Sequence, residues 1–299
     1  MSTSLNVALV AEFDLCEKLV EALEQSCLEI EKLSVVELFP FNEEQGIRFN
    51  NKSVEQLPLD ETEWSDFNYV FFAGDVAHAA HIAKAAQAGC VVIDLKGVCA
   101  SLNDVPLIVP SINDEQLVVL QRNIVSLPDP QVTQFVFSVS QFARENTLSQ
   151  VLVTSLLPAS YIDSDTVNKL AGQTAQLLNG IPLDEEQQRL AFDVFPSPKS
   201  TASLAVQVEK IFPQLPNVIF HQVQVPVFYG MAQMVTLRSE YEFDAQAQLQ
   251  AWQSNELVDY REESALTPVT NGEAEAGETP KLHIGGLSAL ENGMQFWLI

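Results

Sequence analysis

Two histidines, His78 and His81, stand three residues apart in a stretch with helical spacing. On a helix this puts both imidazoles on one face, a spacing that can bind metal. A catalytic metal needs three protein ligands. The neighbouring sequence is not expected to supply a carboxylate or third ligand, so no metal site is expected. His221 and His283 fall in strand-like runs and are expected to be packing or surface residues. The four cysteines, Cys16, Cys27, Cys90 and Cys99, show no CxxC and no metal spacing. They are expected to be reduced and mostly buried. Cys16 lies near a helix start, where backbone N–H groups lower a thiol pKa, but Glu12, Asp14 and Glu17 oppose that effect. A last candidate is SLPDPQVTQFVFSV (126–139), which reads as a strand end running into a helix. Asp129 suits the N-cap and Pro130 the first helical position. Such junctions favour nucleophiles and bound anions, yet proline offers no chemistry there.

These residues need elements to hold them. Residues 1–128 alternate strand and helix patterns. LNVALVAEF (5–13) is a buried-strand run, and DLCEKLVEALEQS (14–26) has helical spacing with Asp14 as its N-cap. LSVVELF (33–39) is a second strand. IRFNNKSVEQL (47–57) is a hairpin turning at Asn50-Asn51. NYVFFAG (68–74), a helix over 75–89 and CVVIDL (90–95) make a strand–helix–strand unit. VPLIVPSI (105–112) and NIVSL (123–127) read as two further extended segments. The pattern predicts a Rossmann-like, doubly wound, mostly parallel sheet. Residues 129–299 read as an α+β domain with a mixed or antiparallel sheet. Its strands are QVLVTSLL (150–157), VIFHQVQVPVF (218–228), MVTLRSEYEF (234–243), LHIGGLSAL (282–290) and MQFWLI (294–299). The two long runs at 218–228 and 234–243 are expected to be a pair of sheet strands. The acidic loop TNGEAEAGETP (270–280) and Glu185-Glu186-Gln187 read as solvated surface.

Composition narrows the function classes. The 299 residues carry 15 Lys+Arg against 40 Asp+Glu, a formal net charge of −25. No basic cluster exists to track phosphates, so neither a nucleic acid nor an anionic membrane is an expected partner. Hydrophobic residues make up 47% of the chain, enough for a sizeable core. The apolar runs are too short for a membrane span and the N-terminus lacks a basic leader, so a cytoplasmic protein is expected.

The order of short motifs is more specific. NVALV opens the chain, followed by AAQAGCVVID, DVPLIVP, LLNG, AFDVFP, VPVFYG and ENGMQFWLI. Together this succession resembles the aspartate-semialdehyde dehydrogenase family, and most of all its divergent Usg-type paralogues. The resemblance implies an NADP-binding first domain and a second domain that supplies active-site residues and a dimer interface. It also implies reduction of aspartyl phosphate through a cysteine thioester, with a histidine moving protons and arginines holding anions.

Position by position, that chemistry is missing. The family's GxxGxxG loop resembles VAEFDLCEKL (10–19), where the glycine positions are Ala11, Asp14 and Glu17. No NADP or other cofactor is therefore expected. The nucleophile motif resembles LPDPQVTQ (127–134), which puts Pro130 at the cysteine position. The Arg-Val-Pro-Val-x-x-Gly-His motif resembles QVPVFYGM (224–231), with Gln224 for the arginine and Met231 for the acid/base histidine. The phosphate arginine falls at Ala100 and a substrate glutamate at Gln207, while Gly-Arg-Ile-Arg resembles GGLS (285–288). The expectation is a catalytically inactive homodimeric homologue that binds a protein or a small molecule. Two alternatives stay open. One is an enzyme of another reaction in the same cleft, using Asp129, Gln224, Tyr229 or Cys99. The other is a divergent NADP oxidoreductase acting on an aldehyde or acyl phosphate.

Overall fold

A computed structural model describes residues 4–41, 46–118, 120–184, 186–215, 218–242, 244–262, 266–271 and 279–299. Glu185 and most of the acidic loop at 270–280 lie outside the described residues. The chain divides into two compact units, Met1–Asp129 and Pro130–Ile299.

The first unit runs β1 (Leu5–Ala11), α1 (Phe13–Glu24), β2 (Ile30–Glu37), β3 (Arg48–Phe49), β4 (Lys52–Ser53), β5 (Glu55–Pro58), β6 (Tyr69–Phe72), α2 (Ala79–Gln87), β7 (Val91–Asp94) and β8 (Ile124–Ser126). Six parallel strands form one sheet in the order β5-β2-β1-β6-β7-β8. Alternate residues of β1 serve opposite faces. Val7, Leu9 and Ala11 pack with Cys16, Val20 and Leu23 of α1. Ala8 and Val10 pack with Phe72 and with Ile82 and Ala85 of α2. A strand buried on both faces must be apolar throughout, which is why LNVALVA shows no alternation. Asn50 (φ 50°) and Asn51 (φ 63°) turn the β3–β4 hairpin in the left-handed conformation that Asn tolerates.

Three expectations need correction here. VPLIVPSI enters no strand. Leu107 makes one isolated bridge to Ser126, and Pro106 and Pro110 have no N–H to extend it. The N-cap of α1 is Glu12, whose side chain makes no capping bond, and Asp14 sits inside the first turn. The helix at 75–89 starts as a 3-10 turn, Val76–His78, with Asp75 accepting a hydrogen bond from the Ala77 N–H at 2.9 Å.

The second unit runs α3 (Pro130–Glu145), β9 (Leu148–Leu157), α4 (Ser164–Leu178), β10 (Phe195–Pro196), α5 (Ala202–Ile211), β11 (Val218–Gln224), β12 (Ala232–Ser239), α6 (Ala245–Ser254), β13 (Val258–Arg261), α7 (Pro268–Asn271), β14 (Leu282–Leu290) and β15 (Gly293–Leu298). Its seven-stranded mixed sheet has the order β10-β11-β9-β12-β15-β14-β13. The two long runs are both strands of this sheet but not neighbours: β9 lies between β11 and β12, parallel to the first and antiparallel to the second. The path through α4 and α5 returns β11 parallel to β9, as a long crossover does. The chain then passes over the end of β9, where Ala159 and Ser160 donate to the carbonyls of Val227 and Phe228. β11 ends at Gln224, short of the expected 228, and Pro226 has no N–H to extend it.

One face of this sheet carries α3 and α6. Phe135 of α3 meets Phe220 edge-on at 6.1 Å, and Trp252 of α6 donates its indole N–H to the Ser138 carbonyl at 2.7 Å. The opposite face presents cross-strand rows His221–Thr154–Met234–Trp297 and Ile219–Leu152–Thr236–Gln295. Leu266 covers its Ala232–Trp297 end, and Ile219 remains 44% exposed. Among the described residues, no helix is long and apolar enough to cross a membrane.

Candidate functional site

In an open parallel sheet, ligands bind beyond the carboxyl ends of the strands, where the strand order reverses. Here that point lies between β1 and β6. β1 reaches α1 through Glu12 alone, so no turn is left to cradle a pyrophosphate. Ala11 is fully buried, and Glu12, Asp14 and Glu17 are exposed. The uncapped amides of α1 are worth roughly half a positive charge. One carboxylate at the cap, Glu12, and one in the first turn, Asp14, outweigh them. Ala73-Gly74-Asp75 follows β6, adding a third carboxylate at the same edge, one the sequence motifs did not flag.

The neighbouring strand end is built on a buried aspartate. Asp94, at the end of β7, accepts from the Cys99 N–H at 2.7 Å and from the Ser126 hydroxyl. This pins the loop that carries Ala100, itself only 5% exposed. Nothing at that position reaches out to hold a phosphate. Cys99 is buried beside Asp94, and burial first, then that carboxylate, pushes its thiol up to about 11. Cys16 is equally unlike a nucleophile. Burial raises it to about 12, and its Sγ faces the Ala11 carbonyl at 3.6 Å.

In the second unit the structure brings several sequence-predicted positions to one end of the sheet. Pro130 opens α3 and is exposed. The next residue, Gln131, is fully buried and donates to the Tyr161 hydroxyl at 2.8 Å. Gln233 of β12 donates to the Gln131 carbonyl and to the Ser155 hydroxyl, both at 3.0 Å. Ser155 lies in register between Gln233 on one side and Gln222 on the other. Gln224 follows two residues later, 4% exposed. Among the described residues, no donor reaches Oε1 of Gln222, Gln224 or Gln233. Met231 stands half-buried just before β12, and Gln207 half-buried in α5. Tyr229 is 65% exposed. The cluster is therefore a set of neutral amides and hydroxyls under α3. It can hold hydrogen bonds, and amides and hydroxyls carry no charge near neutral pH.

This amide row has a signal in the sequence. Val218, Phe220, Gln222 and Gln224 share one face of the strand by period-2 alternation, so polar residues fall in core positions. The two helix-borne histidines differ from expectation. His78 has a carboxylate partner, Asp75, at 2.8 Å, and His81 lies 3.7 Å from Asp60. Even so, no group of three potential metal ligands forms among the described residues. His283, expected as packing or surface, faces Asp259 across adjacent strands at 2.8 Å. Arg261 binds the same carboxylate oxygen at 2.7 Å.

Comparison with known proteins gives a consistent set of matches. Residues 17–119 match the semialdehyde dehydrogenase NAD-binding domain, a stretch that starts beyond the β1–α1 junction. A USG-1 protein homologue of Haemophilus influenzae is 58% identical over the whole chain and 92% of its own length. Aspartate-semialdehyde dehydrogenase of Shewanella violacea is 28% identical, again over the whole chain and 93% of its length. The crystal structure of aspartate semialdehyde dehydrogenase II from Vibrio cholerae superposes with a TM-score of 0.88 at 25% identity, covering 99% of this chain and 92% of that one.

Proposed function

Starting from the premise that the chain belongs to the aspartate-semialdehyde dehydrogenase family, with the USG-1 homologues, we propose that it is a non-catalytic member acting as a dimeric binding protein. The observation that carries this is Pro130 at the first position of α3, where the resemblance places the thioester-forming cysteine. Proline has no side-chain nucleophile and its nitrogen carries no proton. Around it, Gln224 and Met231 replace a charge and a proton carrier with a neutral amide and a thioether. These losses compound, because a nucleophile, its base and its anion holder act as one unit.

The nicotinamide cofactor of such enzymes fares no better. The residues at the β1–β6 edge do not fit its pyrophosphate: there is no glycine turn, and Glu12, Asp14 and Asp75 bring like charge. Cys99 does not offer a substitute nucleophile, being buried with a raised pKa.

A pair of measurements tests the proposal. Purified protein is assayed for phosphate-dependent oxidation of aspartate semialdehyde with NADP, and NADP and NAD are titrated by calorimetry. The expected outcome is no turnover above blank and no saturable heat. Turnover that tracks with the protein through purification would overturn the inactive assignment. Saturable NADP binding would overturn the cofactor argument and reopen the divergent-oxidoreductase alternative.

A further inference from the structure

Where the first half of α3 meets the ends of β13, β14 and β15, the second unit holds a cavity of about 350 Å³. This is within the range of small-molecule sites, which start near ~300 Å³. Phe137, Leu257, Leu282 and Ile299 give it an apolar wall, and Gln134, Lys281 and His283 also line it. Among the described residues no carboxylate side chain lines it, although acids outnumber bases 40 to 15 in the chain. Two other cavities show the contrast: one is lined by Glu24, Glu29 and Glu31, the other by Glu145 and Asp244. Lys281 is exposed at this cavity and makes no ion pair among the described residues. On the adjoining strand, the Asp259 carboxylate is already matched by Arg261 and His283. It does not compete for Lys281.

We propose that this cavity binds a small organic carboxylate, its apolar body against Phe137, Leu257 and Leu282 and its charge on Lys281. The site lies within one unit and uses none of the positions on which the inactive-enzyme proposal rests, so either can fail alone. The probe is phenylacetate, with phenylacetamide as its neutral and phenethylamine as its cationic counterpart, titrated calorimetrically into the full chain. Phenylacetate is expected to saturate, with the other two at least about tenfold weaker, the equivalent of roughly 1.4 kcal/mol. Lys281→Gln should weaken phenylacetate by about tenfold and Lys281→Arg should retain it within about threefold, because either cation can pair a carboxylate. Leu257→Trp, filling the cavity, should abolish it. Circular dichroism checks that each variant is folded. If Leu257→Trp does not fold, the Gln and Arg variants at the exposed Lys281 still decide. Absence of phenylacetate binding, equal binding of all three probes, or binding indifferent to Lys281→Gln would overturn the proposal.

Discussion

At the residue scale, burial decides reactivity more than residue type does. Cys16, Cys90 and Cys99 are buried, and burial raises all three thiols; Cys27 is exposed. One thiol per native chain should react with Ellman's reagent at neutral pH, and the others only after denaturation. Fast reaction of a second thiol would contradict the packing around α1 and β7. Restoring a thiol at the helix start should restore no enzyme. Pro130→Cys should react with iodoacetamide but show no semialdehyde oxidation, since Gln224 brings no charge and Met231 no titratable proton. Measurable turnover in that variant would show that a base remains in place. Asp259 gives a pH-dependent test. Burial pushes its pKa up, but hydrogen bonds from Arg261 and His283 outweigh this and hold it below the usual carboxylate value. A lowered folded-state pKa adds stability above the unfolded pKa, and the gain fades as pH falls through the folded value. Asp259→Asn should therefore lower Tm at neutral pH, with the gap from wild type closing in acid. A gap that is constant with pH would remove the charge argument.

At the element scale, the two sheets differ in how they are specified. Apolar continuity made β1 of the first sheet legible, and the Asn50-Asn51 turn the separate β3–β4 hairpin, because both depend on local rules. The pairing of β11 with β9 was not legible: alternation fixes which residues share a face, not which strand lies alongside. The same alternation marked Gln222 and Gln224 as core-facing. What those amides meet came only from the register that sets Ser155 between Gln222 and Gln233. Close backbone approach adds a constraint at Gly293, where β15 begins. A Cβ there would lie 2.1 Å from the Leu237 carbonyl oxygen, on backbone that cannot swing away. Gly293→Ala should cost about 1–3 kcal/mol, read as a lower urea midpoint with an unchanged slope. An unshifted midpoint would mean that β12 and β15 can part without loss.

At the scale of the whole molecule, charge and the uncovered sheet face bear on assembly. A net charge of −25 opposes self-association through bulk repulsion. The outer face of the second sheet is an exception, since its rows through Leu152, Thr154, Met234 and Thr236 carry no acid. We propose this face as the interface of the dimer. Thr154→Arg with Thr236→Arg would place two like charges on it in each copy. Equilibrium sedimentation should then report a monomer with unchanged far-ultraviolet dichroism. A wild-type monomer, or a double variant that still dimerises, would move the interface elsewhere or remove it.

The sequence by itself determined the family and the parallel-then-mixed architecture. Both follow from motif order and from period-2 or helical spacing, which are properties of the chain alone. Tertiary structure decided the rest. It made Glu12 the cap and left no turn before α1, gave His78 and His283 carboxylate partners, put β9 between the two long strands, and buried Gln131, Gln224 and Gln233 together. The Glu12 cap and the His78–Asp75 pair are local details of two helix starts; the strand order, the His283–Asp259 pair and the glutamine cluster depend on residues far apart in the chain, and no local rule of spacing or propensity encodes which distant groups will meet.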